Sequence, residues 1–172
     1  MAYKVAASLM TMTDEVWMRH ANPWSGWTRV ATFPLWFLAI WSWVWIGWKA
    51  LIPISIVTIW TWLNPRIFPI YQDDSSWITR GVLGERMFLN RDNISIPSDQ
   101  VTVANLLTAF AGLFLLAAIV GFVTQNFWLA LGGWLLSITF KLWFVDRMTW
   151  IYDLMKEATP EYQSWQKINQ NK

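Results

Sequence analysis

The side chains that could do chemistry in this sequence lie in short polar clusters between long apolar runs. His20 is the only histidine, so a haem held by two histidines of this chain is excluded. Its imidazole is suited to ligating a metal or a pigment magnesium, or to carrying a proton near neutral pH, although a lone histidine is more often a plain hydrogen-bonding group. The candidate ligand-binding or lipid-headgroup residues are His20, Asn22, Arg29, Arg66, Glu85, Arg86, Asp146 and Arg147.

Arginine is prominent in these clusters. A guanidinium binds phosphate through paired hydrogen bonds, so the clusters favour an anion or lipid-headgroup site, although ordinary positive anchors beside a membrane account for them equally well. Glu85 is adjacent to Arg86, and Asp146 is adjacent to Arg147. We expect these neighbours to form ion pairs and the polar clusters to meet at one end of the molecule.

Several classes of chemistry are excluded or disfavoured. The sequence contains no cysteine, which rules out disulfides, a thiolate nucleophile and Cys-ligated iron–sulfur clusters. It has no glycine-rich phosphate loop and no paired Glu-x-x-His motif, so no metal site is predicted. A net charge of +2 does not indicate a nucleic-acid partner. The sequence is compatible with bound lipid or pigment. It is more typical of a non-catalytic membrane protein than of an enzyme.

The composition indicates a membrane protein. Sixteen of the 172 residues are tryptophan, 55% are hydrophobic and only 14% are charged, against roughly 25% charged in soluble domains. Indole rings are favoured where hydrocarbon meets headgroup, because the ring is apolar while its N–H can find a polar partner.

The lengths of the apolar runs predict the membrane spans. Crossing a core of ~30 Å takes about 20 helical residues. Residues 50–63 make a short segment of about 21 Å that contains Pro53, so a re-entrant pair is the alternative to a second span. We expect an all-α, single-domain polytopic membrane protein with four transmembrane helices in two hairpins, at 30–48, 50–63, 101–124 and 126–145, a cytoplasmic loop at 64–100 and a cytoplasmic tail at 146–172.

Charge asymmetry predicts the orientation. Of the 13 lysines and arginines, all except Lys49 fall in the N-terminal region, in 64–100, or from Lys141 onward. The positive-inside rule therefore predicts that both termini and the central loop are cytoplasmic. Lys141, near the end of the last span, is expected to extend its amine to the interface.

Three local patterns predict details of packing. Ser25 or Thr28 is expected to cap the first span. The segment 77–91 has no single apolar face, so it should pack against the bundle rather than lie on a membrane surface. Four glycines in the last two spans favour close helix approach, namely Gly112, Gly121, Gly132 and Gly133.

The first span carries tryptophans on two sides, if it is one helix through Trp48. Trp41, Trp45 and Trp48 recur at i, i+4 and i+7, whereas Trp36 and Trp43 are separated by seven residues and share another side. We interpret Trp36 and Trp43 as a partner-binding face.

Two stretches, 17–29 (WMRHANPWSGWTR) and 63–69 (LNPRIFP), with the weaker GERMFL at 84–89 and DRM at 146–148, resemble a family of small Trp-rich prokaryotic membrane proteins, a domain of unknown function. The resemblance covers about residues 12–156. It implies a bacterial or archaeal membrane protein, here assigned to the bacterial inner membrane, and it transfers no catalytic residue.

Two functional hypotheses remain. The first is a non-catalytic integral membrane subunit or scaffold that associates with partner membrane proteins, lipid or pigment through its Trp-rich hairpin. The alternative is a small membrane enzyme or lipid-headgroup-binding protein whose cytoplasmic-side polar site lies around His20, Arg29, Arg66, Glu85 and Arg147. Transport is weaker, because no ionisable residue is predicted near mid-membrane.

Overall fold

The computed structural model describes residues 12–71 and 73–166, and every regular element within those ranges is helical. The expected placement of the termini therefore rests partly on residues outside the described ranges, which are 1–11 and 167–172. The elements are α1 (Asp14–His20), α2 (Pro23–Trp41), α3 (Trp43–Ile46), a 3₁₀ turn (Gly47–Ala50), α4 (Leu51–Ile67), α5 (Trp77–Leu89), α6 (Ser98–Val123), α7 (Phe127–Met155) and α8 (Pro160–Ser164).

Three helical segments are long and apolar enough to cross a membrane. They are Pro23–Ile67, Ser98–Val123 and Phe127–Met155. The expected all-α class is confirmed, and these segments indicate an integral membrane protein.

The expected continuous helix through Trp48 is wrong. The α2 helix ends at Trp41, where the Ser42 hydroxyl donates a hydrogen bond of 2.7 Å to the Ala39 carbonyl oxygen. The chain then turns at Gly47, whose φ of 58° is a conformation that glycine adopts without a steric penalty. The division of tryptophans into two helical sides therefore does not extend beyond Trp41.

The start of α2 also differs from expectation. The helix begins at Pro23 and its cap is Asn22, whose side-chain oxygen accepts a hydrogen bond of 2.9 Å from the Trp24 N–H. Proline fits the first helical position because its missing N–H would have no partner there. Ser25 and Thr28 lie inside the helix instead of capping it.

The second apolar run is longer than expected. The α4 helix runs through Asn64 and Pro65 to Ile67, although these residues were expected to end it. Pro53 is the third helical residue, in the first turn, where a backbone N–H has no intrahelical acceptor. The helix therefore tolerates this proline without losing a hydrogen bond.

Helices α2 and α4 lie antiparallel and are joined by a series of side-chain hydrogen bonds. Buried Asn64 accepts from the Ser25 hydroxyl at 2.8 Å and donates to the Thr28 hydroxyl oxygen at 2.7 Å. Further along, Trp60 Nε1 donates to Thr32 Oγ1 at 3.1 Å, and Trp36 Nε1 donates to Thr61 Oγ1 at 3.2 Å.

Helices α6 and α7 are joined by close backbone contact. A Cβ on Gly121 would lie 2.2 Å from the backbone nitrogen of Ala130, and one on Gly133 would lie 2.5 Å from that of Ala118. Both positions therefore require glycine, as expected. A Cβ on Gly112 or Gly132 would instead meet open space.

The remaining helices form a polar end, which we define as α1, residues 68–71 and 73–76, α5, the last turns of α7, and α8. Its core packs α5 against α7, so the expected packing of 77–91 into the bundle is confirmed. A Cβ on Gly84 would lie 1.9 Å from the Met148 carbonyl oxygen, which shows how closely the two helices meet. Arg86 links three parts of this end by pairing with Asp14 and Glu161.

Candidate functional site

A cavity of about 260 Å³ lies where the polar end meets the apolar helices. We call it the polar cavity, because four ionisable side chains from four helices line it: His20, Arg29, Glu85 and Lys141. Its other walls are apolar or carry hydroxyl and indole groups. It is therefore the place where the sequence-predicted polar residues converge most closely.

Arg29 is held in the wall by His20 and by its own helix. Its Nη1 contacts His20 Nε2, its Nη2 donates to the His20 carbonyl oxygen at 3.2 Å, and its Nε donates to the Ser25 carbonyl oxygen at 3.1 Å. Because a guanidinium can only donate, His20 Nε2 is the acceptor in this pair. The imidazole is therefore neutral, with its proton on Nδ1.

The electrostatic surroundings keep His20 neutral. Burial lowers the pKa of His20 well below its usual value, and the positive charges of Arg29, Lys141 and Arg66 lower it further. Its Nδ1 is shielded from solvent and has no hydrogen-bond partner among the described residues. A buried donor without a partner costs free energy, and a bound acceptor would remove that cost.

Glu85 forms its ion pair with Lys141 rather than with the adjacent Arg86. The Glu85 Oε1 to Lys141 Nζ distance is 3.4 Å, and both side chains line the polar cavity. Adjacent residues on a helix point in different directions, so the sequence neighbours Glu85 and Arg86 face different surroundings.

Two apolar cavities adjoin the polar one. Their volumes are about 410 Å³ and 540 Å³, and Phe33 lines both of them as well as the polar cavity. Lys141 and Trp36 line both the polar cavity and the smaller apolar one. We call the two apolar cavities together the apolar crevice, which lies between α2 on one side and α6 and α7 on the other.

An aromatic cluster closes the far end of the crevice. The Trp41 ring lies 5.2 Å from Phe127, and the Phe37 ring lies 5.4 Å from Phe122. Trp134 joins this cluster and donates its indole N–H to the Phe33 carbonyl oxygen at 3.2 Å. Contacts between α2 and the α6–α7 pair thus extend from the aromatic end to Phe33, near the middle of α2, and both apolar cavities lie beside the Phe33–Trp134 contact.

Two further candidates, Asn22 and Arg66, lie outside the polar cavity lining. Asn22 caps α2 and donates from Nδ2 to the Pro69 carbonyl oxygen at 3.1 Å. The Arg66 guanidinium lies 4.0 Å from the centre of the Trp62 ring and contacts the Trp62 carbonyl oxygen. Asn22 is therefore structural, and the positive charge of Arg66 acts on His20 from outside the cavity lining.

Three more candidates lie elsewhere in the polar end. Asp146 accepts a hydrogen bond of 2.9 Å from Trp77 Nε1. Arg147 donates to Gln100 at 3.4 Å and lies 4.9 Å from the centre of the Trp150 ring. Arg86 pairs with Asp14 and Glu161, as above. The expected pairing of Glu85 and Asp146 with adjacent arginines is replaced by these longer-range contacts.

The structure separates the two tryptophans assigned to a partner face. Trp36 is half-buried and donates to Thr61 on α4, whereas Trp43 is 50% exposed. Trp36 also lines the polar cavity and the crevice. Its surroundings are therefore internal, while Trp43 lies at the tip between α2 and α4.

Sequence comparison adds one match to these observations. Residues 3–169 match the family described as "Family of unknown function (DUF6653)". The chain belongs to this family. The resemblance to a domain of unknown function drawn from the sequence is thereby confirmed, and no curated protein or solved structure was found to match.

Membership of the DUF6653 family transfers no chemistry, so the site must be interpreted from its geometry. The described part of the chain contains no group of three His, Cys, Asp or Glu side chains placed to hold a metal ion. A cation at His20 Nδ1 would also lie near the charges of Arg29 and Lys141. The electrostatics of the polar cavity therefore favour an anion over a metal or a pigment magnesium.

Sequence reasoning missed the part that Lys141 plays. It was expected only to extend to the interface, yet it lines the site and pairs with Glu85, 56 residues away in sequence. The available signal was Lys141 as the one charged residue in the span predicted at 126–145, because an ionisable residue within a membrane span is by default a functional-site candidate. Thr32 and Thr61 were also missed, because hydroxyls inside apolar helices carry no distinctive spacing.

Proposed function

We propose that this protein is a non-catalytic integral membrane protein that holds a membrane lipid in its apolar crevice. The observation that carries the proposal is the adjoining arrangement of cavities, which share Phe33 and run from a charged cavity to an aromatic end. Lipid tails fill any groove open to hydrocarbon. The polar cavity at one end of this groove could also bind a lipid headgroup, and this second contact favours a lipid that stays bound over one that exchanges freely.

The dimensions of the crevice support an acyl chain. Arg29 and Trp41 mark its two ends on α2 and are twelve residues apart, which is about 18 Å of helix. One leaflet contributes about half of the ~30 Å hydrocarbon core. The crevice is therefore long enough for a chain that enters from the polar end to reach the aromatic cluster.

The residues of the polar cavity support binding rather than catalysis. The hydroxyl groups in its described lining belong to Thr32 and Thr61, and both are already engaged. Each donates to a carbonyl oxygen of its own helix and accepts from a tryptophan indole. Neither hydroxyl is paired with a general base, as a nucleophile would require.

We further propose four spans, with both termini cytoplasmic and the protein in the bacterial inner membrane. Helices of 19 residues in α2 and 17 in α4 measure about 28 Å and 25 Å, close to the hydrocarbon thickness. The lone positive charge at the tip between them, Lys49, supports the orientation. Reporter fusions at Lys172 and after Gln125 should give opposite signals, and equal signals would overturn this topology.

The lipid proposal is tested by filling the crevice. Gly112 lines the smaller apolar cavity and has open space around its missing Cβ. Gly112→Phe should therefore fill the smaller apolar cavity, which adjoins Lys141, without disturbing the fold. Gly132 is also open but lines none of the three adjoining cavities, so Gly132→Phe is the matched control.

The measurement is native mass spectrometry of the protein purified in a mild neutral detergent. We expect one retained lipid on the wild type and on Gly132→Phe, and a large loss of that lipid on Gly112→Phe. Equal lipid retention in all three proteins would contradict the proposal, as would a wild-type protein that retains none.

Association with partner membrane proteins is the second candidate, and one observation favours it. Trp43, Trp45 and Trp48 are 50%, 66% and 69% exposed at the tip between α2 and α4. An interfacial belt of tryptophan is the simpler explanation. A pull-down in mild detergent separates the two, because Trp43→Leu should lose a stoichiometric partner only if this tip is an association surface.

A further inference from the structure

We propose that the polar cavity binds the anionic headgroup of the lipid whose chain occupies the crevice, so that the protein selects anionic over zwitterionic membrane lipids. This inference rests on the proposed lipid-binding function and adds the chemical class of the ligand. Three observations support it: the charge of the polar cavity, the hydrogen-bond donors in the cavity wall and the continuity of the cavity with the crevice.

The charges that line the cavity leave an excess of positive charge. Arg29 and Lys141 are cationic, Glu85 is anionic, and His20 is neutral because its Nε2 accepts from Arg29. A buried site with an uncompensated cation is unfavourable in a low-dielectric environment. A monoanionic group would neutralise that excess.

The wall also offers donors that the protein does not use. His20 Nδ1 is buried without a hydrogen-bond partner, and its proton is fixed there by the Arg29 contact. Three of the five Arg29 N–H groups contact His20 and Ser25, which leaves two for a ligand. Donors of this kind match the oxygens of a phosphodiester.

The position of Lys141 distinguishes a lipid from a free anion. Its side chain lines both the polar cavity and the adjoining apolar one, and it is 40% exposed although it pairs with Glu85. An anion without an apolar chain would occupy only the polar part. The adjoining cavities therefore fit one molecule with an anionic head and a long apolar tail.

The test measures lipid affinity of the full-length protein in neutral detergent. Phosphatidylglycerol and phosphatidylcholine with identical acyl chains are titrated separately, each followed by native mass spectrometry, and inorganic phosphate is added as a competitor. We expect the wild type to prefer phosphatidylglycerol by about tenfold, as is typical of one charge-assisted contact.

Two variants should move that preference in opposite directions. Lys141→Gln removes a cation from the cavity and should abolish the preference, whereas Glu85→Gln removes the one anionic side chain in the described part of the lining and should increase it. Lys156→Gln is the control, because Lys156 is a cation at the C-terminal cap of the same helix, beyond the cavity, where it pairs with Asp153. Opposite shifts cannot arise from a common folding defect.

The outcomes separate this inference from the proposed function. If wild type retains both lipids with equal affinity, headgroup selection is wrong while lipid binding stands. If neither lipid is retained, both proposals fail. If millimolar inorganic phosphate displaces phosphatidylglycerol, the site accepts a free anion and the lipid assignment is wrong. If Lys156→Gln loses the preference as fully as Lys141→Gln, the effect is general surface charge and the site is wrong.

Discussion

The α2–α4 pair and the α6–α7 pair are joined in different ways. In α6–α7 the backbones meet directly, since a Cβ on Gly121 or Gly133 would overlap the facing helix. Two side-chain hydrogen bonds accompany this contact among the described residues, from Ser137 to the Ala111 carbonyl oxygen at 2.9 Å and from Arg147 to Gln100 at 3.4 Å. In α2–α4 the contact is made by hydroxyl, amide and indole groups arranged along both helices.

The difference explains why the crevice exists. Within a membrane there is no hydrophobic gain on bringing two apolar helices together, so small-residue packing or interhelical hydrogen bonds must supply the attraction. Small-residue packing joins α6 to α7, and interhelical hydrogen bonds join α2 to α4. Between the pairs, the described direct contacts of α2 are the Trp134–Phe33 hydrogen bond near its middle and the aromatic cluster beyond it, and both apolar cavities are lined by Phe33 and Trp134. The open space lies between two helix pairs that are joined internally by different kinds of contact.

The largest predicted effect tests whether α6–α7 depends on backbone contact. Gly121→Ala should reduce the free energy of unfolding by about 3 kcal/mol, the upper end for overpacking, because its Cβ would lie 2.2 Å from a backbone nitrogen that cannot rotate away. Thermal unfolding in detergent, followed by circular dichroism, provides the measurement.

Gly132→Ala is the control for this prediction, since its Cβ meets open space. Replacing a helical glycine with alanine there should leave stability unchanged or raise it by up to about 1 kcal/mol. Equal melting temperatures for the two variants would show that α6 and α7 are not held by close approach.

The next effect tests the hydrogen-bonded pair. Asn64→Leu should reduce the free energy of unfolding by about 2 kcal/mol, because it leaves the buried Ser25 hydroxyl without its acceptor. The double variant with Ser25→Ala should be less destabilised than the sum of the two single variants. Strict additivity in this cycle would mean that the Ser25–Asn64 contact contributes nothing to stability.

Asn64 also shows where sequence-based prediction fails. The segment Asn64-Pro65-Arg66 has the residue types of a turn, yet it lies within α4 because the Asn64 amide binds two side chains of α2. Local turn preference is outweighed by a partner that lies 39 residues away in sequence. The apolar runs themselves were predictable, because their length and composition are local properties.

The candidate site was predictable only in part, for the same reason. His20, Arg29 and Glu85 do converge, and they could be proposed because each is an ionisable residue beside an apolar run. The pairing of Glu85 with Lys141 could not be predicted from the sequence, since it depends on how α5 packs against α7 through Gly84. Arg86 and Arg147 have the same residue type as Arg29 but face other surroundings.

A smaller effect should appear as a dependence of protein stability on pH, caused by His20, which contacts Arg29 of α2. The pKa of His20 in the folded protein is lowered below its usual value of 6.5, so the unfolded chain binds a proton at a higher pH than the folded protein does. The free energy of unfolding should therefore fall as the pH drops below about 6.5, with a slope of at most about 1.4 kcal/mol per pH unit. Above that pH His20 is neutral in both the folded and the unfolded chain, so it should contribute no pH dependence.

The measurement is the melting temperature between pH 5.5 and pH 7.5 for wild type and His20→Gln. The variant lacks the titrating group, so the difference between the two curves isolates the contribution of His20 from that of carboxylates. If the two curves run parallel over this range, His20 is not held neutral by Arg29 and burial.

The smallest predicted effect tests one of the hydrogen bonds that join α2 to α4, the bond from Trp36 to Thr61. Trp36→Phe keeps an aromatic ring but removes the indole N–H that donates to Thr61. We expect a loss of about 1 kcal/mol, the usual value for a neutral hydrogen bond, with no larger penalty because the Thr61 hydroxyl still donates to the Val57 carbonyl oxygen. Trp43→Phe is the matched control, since Trp43 is half exposed and should change stability very little. Equal effects of the two substitutions would mean that ring burial rather than hydrogen bonding joins α2 to α4, and the two helix pairs would then be held by the same kind of force.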